Sequence, residues 1–161
     1  MAFRIATATD VPAITRLVNF AYQVEDFFKI GDRTDESDVL AHLATGRYIA
    51  FDGPAGQLAG CVYVELRGLT GYFGMLAVDP DAQRKGLGRE LVRQAEREAR
   101  AAGSVAMELD VVDLRTELVP WYGGLGYTEI GRAPFPAGKA SRPCEFIIMR
   151  RDLSESTEEH S

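Results

Sequence analysis

The residues best placed to do chemistry form one run, Gln83-Arg84-Lys85-Gly86-Leu87-Gly88-Arg89. Two glycines stand among cations, and a helical pattern begins immediately behind them. A helix N-terminus leaves its first backbone N–H groups without partners and carries the positive end of the helix dipole. Glycine lets that backbone approach a ligand closely, because it has no Cβ. Arg84, Lys85 and Arg89 add charge, and Gln83 adds an amide donor. Such a cluster suits phosphate or pyrophosphate oxygens, which need several donors at once. The spacing excludes two nucleotide motifs. A P-loop needs Gly-Lys-Ser/Thr, but Leu87 follows Gly86. A dinucleotide fingerprint needs a small third residue where Leu91 stands.

The elements that must hold this cluster follow from periodicity. An apolar strand pattern from Tyr72 to Val78 ends at Asp79-Pro80, just ahead of it. Behind it, Leu87, Leu91, Ala95 and Ala99 recur every four residues, which predicts a helix from about Gly86 to Ala102 with Gly103 as its stop. Val105 to Val112 then alternates as a strand, with Glu108 and Asp110 on one parity. A strand–helix–strand unit implies parallel neighbours joined by a right-handed crossover.

Upstream, residues 3–7 read as a strand. Thr9 reads as the cap of a helix striped by Val11, Ile14, Leu17, Val18 and Ala21. Residues 22–34 have no clean period. Asp35 to Leu43 is a second helix, and Tyr48–Phe51 and Ala59–Leu66 flank a turn cluster as a hairpin. Downstream come a helix from Leu114 to Gly124, a strand from Tyr127 to Ile130, a proline-bearing loop and a last strand from Glu145 to Arg150. The expected fold class is α/β, a mixed, mostly antiparallel sheet with helices on both faces.

Length favours one domain over residues 1–151. The last ten residues, 152–161, hold four acidic side chains and no Lys or Arg, and read as a flexible acidic tail. The net charge of −6 argues against a nucleic-acid partner. No apolar run is long enough to span a membrane, and MAFRIATATD lacks the apolar core of a secretory signal, so the expected location is cytoplasmic. Cys61 and Cys144 sit in apolar runs and are expected to be reduced, buried thiols. Their spacing suggests no metal.

Gln83 to Gly88 resembles the Q/R-x-x-G-x-G/A signature of the GNAT superfamily of acetyl-CoA-dependent N-acetyltransferases. The strand ending Leu76-Ala77-Val78-Asp79-Pro80 and the late segment Trp121-Tyr122-Gly123-Gly124-Leu125-Gly126-Tyr127 are similar to that family's as well. The resemblance covers roughly residues 3–151 and implies a GNAT-like acyl-CoA N-acyltransferase fold. It implies acetyl-CoA as cosubstrate, held by Gln83, Arg84, Lys85, Gly86, Leu87, Gly88 and Arg89, with the backbone of Leu76, Ala77 and Val78 alongside its pantetheine arm.

It further implies that Tyr122 protonates the leaving thiolate. The expected reaction is direct attack of an amine on the acetyl thioester in a ternary complex, with a small-molecule or peptidyl acceptor. Homodimers are common in the family. Two positions depart from its pattern. The early fourth strand reads Gly71-Tyr72-Phe73-Gly74 and lacks the usual glutamate. Glu65 is therefore the first choice of base, with Glu108 and Asp110 next. Arg115 stands where an asparagine usually contacts coenzyme A. The missing glutamate keeps open an alternative, a non-catalytic coenzyme A-binding sensor or interaction module. Residues 22–34 and 132–143 are expected to line the acceptor site. Arg33, Lys139 and Arg142 there suit an acceptor carrying a carboxylate, and Glu25, Asp26 and Glu65 suit a polyamine.

Overall fold

Alternating apolar residues give both faces of one seven-stranded sheet something to bury. In this computed structural model residues 2–82 and 86–154 are described. The elements are β1 (Phe3–Ile5), α1 (Val11–Ala21), α2 (Glu36–Thr45), β2 (Arg47–Asp52), β3 (Leu58–Arg67), β4 (Thr70–Val78), α3 (Leu87–Ala101), β5 (Ala106–Val112), α4 (Leu118–Gly123), β6 (Thr128–Pro134) and β7 (Glu145–Asp152). The strand order is β1-β2-β3-β4-β5-β7-β6. Only β4 and β5 pair in parallel; the other neighbours are antiparallel. This is the expected mixed sheet, with the crossover helix α3 between its two parallel strands.

Residue parity splits the core in two. Val62, Val64 and Phe73 turn toward Leu87, Leu91, Val92 and Ala95 of α3. Cys61, Tyr63 and Ala77 turn toward Ile14, Leu17 and Val18 of α1. Glu96 of α3 is fully buried, and its carboxylate accepts from Tyr127 Oη at 2.6 Å, Arg151 at 2.6 Å and Arg93 at 2.9 Å. These bonds tie α3 to β7 and to the segment before β6. No helix among the described residues is long and apolar enough to cross a membrane.

Several local readings change. The first cap is Thr7, not Thr9. Thr7 N donates to Asp10 Oδ2 at 2.8 Å in a capping box around a short 3-10 turn, and α1 starts only at Val11. α4 begins at Leu118 instead of Leu114. Pro120 has no N–H and must fall in a helix's first turn, so an earlier start would break the ladder. β6 extends through Pro134, which an edge strand tolerates. β7 continues to Asp152, and Leu153 beyond it is buried. Cys61 is buried, but Cys144 lies just before β7 and is half-buried; both are free thiols.

Candidate active site

Three parallel rungs join β4 to β5: Thr70 to Ala106, Gly71 to Met107 and Tyr72 to Glu108. Beyond them the strands part. On the other edge of β4, Tyr63 pairs with Gly74 and Cys61 with Ala77, so Met75 and Leu76 together oppose Val62. Met75 sits at φ +54°, the left-handed region that a side chain rarely adopts. An extra residue in one strand sharpens twist and bends the strand. Here the bulge turns β4 away from β5. Unpaired strand edges present backbone donors and acceptors that need a partner. The gap is continuous with a cavity of about 520 Å³, lined by Tyr72 to Leu76 on one side and Leu109 to Val112 on the other. Tyr22, Arg33, Tyr122 and Phe135 close it.

At the outer end of β4 stands the N-terminus of α3. Glu90 N is bonded to Gly86 O at 2.9 Å as the first full turn closes. The N–H groups of Leu87, Gly88 and Arg89 therefore have no intrahelical acceptor. Gly86 has φ +86° and open space where a Cβ would stand, so its role is conformational. Gly88 differs. A Cβ there would meet the Trp121 ring at 3.8 Å and Val78 at 4.0 Å, ordinary contacts. Trp121 is 41% exposed, so an open indole flanks this helix end. Sequence reading placed Trp121 only in a late motif, since nothing in the linear pattern carries it to α3. Gln83, Arg84 and Lys85 lie outside the described residues. Of the expected strand run, Leu76 lines the cavity, Ala77 is buried toward α1 and Val78 lies beside Gly88.

Tyr122 lines the cavity and is only 6% exposed. Its ring is held by Phe73, Trp121 and Tyr127, with centroids 5.9, 4.8 and 6.2 Å away. Its hydroxyl has no hydrogen-bond partner among the described residues. Burial pushes its pKa up, so it keeps its proton at neutral pH. Asp110 also lines the cavity; it is exposed to the solvent that fills it, and partial desolvation still raises its pKa from the ordinary aspartate value. The Arg67 charge and the Tyr72 hydroxyl oppose that rise. The Tyr72 side chain folds back over Gly74, where a Cβ would meet its Oη at 3.0 Å.

The other expected site residues are placed elsewhere. Glu65 lies outside the cavity lining. It accepts from Arg67 and Tyr63, each at 2.7 Å, and the Arg67 guanidinium holds its pKa down, which makes it a weak base. Glu108 is bound to Arg150 at 2.6 Å. Arg115, expected at the coenzyme, is instead held by Glu25 and Glu117, each at 2.8 Å. His42, for which no role in the site is expected, packs structurally: Nδ1 meets Tyr48 Oη at 2.8 Å, and its ring stacks on Tyr63 at 4.3 Å. The two aperiodic segments do come together over the cavity. Ile30 N donates to Lys139 O at 2.9 Å and Ser141 N to Phe28 O at 2.7 Å.

A strand pair opened by a bulge, with a bare helix N-terminus at its outer end, defines a class of coenzyme A-dependent acyltransferases. The acetyltransferase (GNAT) family model matches residues 12–127. The chain belongs to that family, and so is by class an acetyl-CoA-dependent N-acyltransferase. Among solved structures it is similar to yncA from Salmonella typhimurium, described as a putative acetyltransferase with its cofactor acetyl-CoA. That match has 25% identity and a TM-score of 0.73, and covers 96% of this chain and 95% of that one. The ribosomal-protein-alanine N-acetyltransferase from Brucella melitensis shares the fold at 20% identity and a TM-score of 0.75, covering 95% and 100%. Naa20 from Chaetomium thermophilum, in complex with a bisubstrate analogue, does so at 18% identity and 0.74, covering 98% and 90%. No curated protein matches the chain in sequence.

Proposed function

We propose that this protein transfers the acetyl group of acetyl-CoA to a primary amine of a small-molecule or peptidyl acceptor, with both substrates bound at once. The parting of β4 and β5 beyond the Tyr72–Glu108 rung carries this reading. It leaves a backbone edge free for an extended pantetheine arm, in the manner of an added strand. The donor set at α3 fits the rest of the coenzyme. The N–H groups of Leu87, Gly88 and Arg89 face outward at the positive end of a helix dipole, and Gly86 leaves open space before them. Bound there, acetyl-CoA supplies an activated acetyl thioester.

The chain's own groups then divide the work. The left-handed turn at Met75 redirects the backbone N–H groups at the bulge, and we assign to Leu76 the polarisation of the carbonyl oxygen. Asp110, in place of Glu65, takes a proton from the amine, directly or through one water, as the new N–C bond forms. Tyr122 gives its proton to the sulfur as the C–S bond breaks. Amine and thioester thus become amide and thiol, with protons balanced across Asp110, Tyr122 and solvent. The unperturbed phenol is a weaker acid than a thiol, at about 10 against about 8.5, so this transfer needs the tyrosine held close and shielded from water. Packing on three aromatic rings provides that.

The test is release of free thiol from acetyl-CoA against a broad panel of primary amines, with the amide product confirmed by mass. Turnover is expected. Tight coenzyme A binding without turnover on any amine would instead favour the coenzyme-binding module.

A further inference from the structure

The charged groups around the cavity are not equal once their partners are counted. Glu25 is neutralised by Arg115 at 2.8 Å, and Lys29 is held by Asp26 at 3.0 Å and by Gly31 O at 2.7 Å. Asp35 caps α2 by accepting from Asp38 N at 2.8 Å, and it is solvent-exposed at the rim. Arg33 is different. It is half-buried, lines the cavity and lies with its guanidinium carbon 5.1 Å from the Tyr22 ring centroid. No carboxylate pairs with it among the described residues.

A guanidinium has five donors in a planar fork, and an aromatic face satisfies none of them. Withdrawing such a group from water without an anion is unfavourable unless a ligand supplies one. Two further groups on the cavity wall have no ion-pair partner among the described residues, the exposed Lys139 and the exposed candidate base Asp110. The Arg33 charge is felt at both Tyr72 and Asp110, so cation and carboxylate share one space. A ligand complementary to that pair carries an amine at one end and an anion at the other.

Building on the acetyl-transfer reading, we propose that the acceptor is a primary amine bearing a carboxylate, of the free amino acid type, and that Arg33 is the residue that binds the carboxylate and sets this preference. A polyamine offers nothing to Arg33. Two of the acids that could hold one are engaged elsewhere, Glu25 by Arg115 and Glu65 by Arg67. The exposed rim acids Asp32, Asp35 and Asp38 meet the ammonium end of a zwitterion on its way in.

The experiment compares kcat/KM for free L-amino acids with their carboxamides, using spermidine as the carboxylate-free control. For the best amino acid the acid-to-amide ratio should be about tenfold or more, the loss expected for a charge-assisted bond to guanidinium. Arg33→Ala should bring that ratio near one, and Arg33→Lys should recover part of it. A ratio near one in the unmodified protein, or one that Arg33→Ala leaves unchanged, overturns the proposal. Calorimetry with coenzyme A present separates this from the catalytic reading. If no amine is acetylated, binding of the acid but not the amide, lost in Arg33→Ala, still supports the carboxylate site. Equal binding of both refutes it.

Discussion

Tyr72 and Asp110 stand on one face of adjacent parallel strands, Tyr72 in the last rung that joins them and Asp110 just beyond it. Tyr72 pairs with Glu108, and Asp110 is the next residue of that parity on β5. The Tyr72 hydroxyl favours the Asp110 carboxylate and lowers a pKa that desolvation raises. Arg67 lies over the Tyr72 ring at 4.1 Å and is itself held by Glu65. Glu65 thus reaches the site through Arg67 and Tyr72.

The sign of the Tyr72 effect gives a pH prediction. Removing a hydroxyl that favours the carboxylate raises the carboxyl pKa. In Tyr72→Phe the acid limb of kcat/KM, which reports the base in the free enzyme, should move to higher pH. An unmoved limb, or one shifted to lower pH, would remove Asp110 from the base role.

Trp121 is the chain's single tryptophan and lies against the first turn of α3. Coenzyme A binding at that turn should therefore change intrinsic fluorescence, saturably and to the same extent with acetyl-CoA. The exposed indole predicts a clear change in intensity or emission maximum.

Gly86 and Gly88 should respond differently to substitution. Gly86→Ala forces a side chain into φ +86° and should destabilise by roughly 1–2 kcal/mol. A Cβ at Gly88 meets only ordinary contacts, so the melting temperature of Gly88→Ala should stay close to the parent's, and Gly88→Glu is compared with it. Its carboxylate would oppose phosphate, however, and coenzyme A affinity should fall about tenfold or more.

Glu96 anchors the half of the sheet opposite the acceptor side. Glu96→Ala leaves Tyr127 and two arginines facing a site without its carboxylate. Breaking a buried pair in this way costs about 3–5 kcal/mol. For a domain of this size that is a fall in melting temperature on the order of 10 °C by calorimetry.

The thiols offer a check on packing. Burial pushes Cys61 up to about 12 and leaves it inaccessible, whereas Cys144 is half-buried. Native protein should release one thiol to Ellman's reagent, slowly, and denatured protein two.

Much of the fold was legible because its signals are local. The four-residue spacing from Leu87 to Ala99, the parity of Val105–Val112 and the turn residues between β2 and β3 each act within a few positions. The start of α3 at Gly86 was legible for the same reason, since the glycine spacing is itself the signal. The base was not. Choosing among Glu65, Glu108 and Asp110 requires knowing which carboxylate meets an arginine, and those partners lie on other strands. The ion pair of Arg115 was hidden likewise, because its partner Glu25 is 90 positions away in the chain. The bulge at Met75 was also silent, because its left-handed turn carries a methionine where a glycine would have announced it.

The most direct measurement is thiol release from acetyl-CoA by Asp110→Asn beside the unmodified protein, with the best amine of the panel. Turnover should fall about 10²–10⁴-fold, the span of a general base. The coenzyme A dissociation constant read from Trp121 should stay within about twofold, since Asp110 is not part of the helix end proposed to hold phosphate. Turnover within a few-fold of the parent's would contradict the assignment of the cleft between β4 and β5 as an acetyl-transfer site with Asp110 as its base.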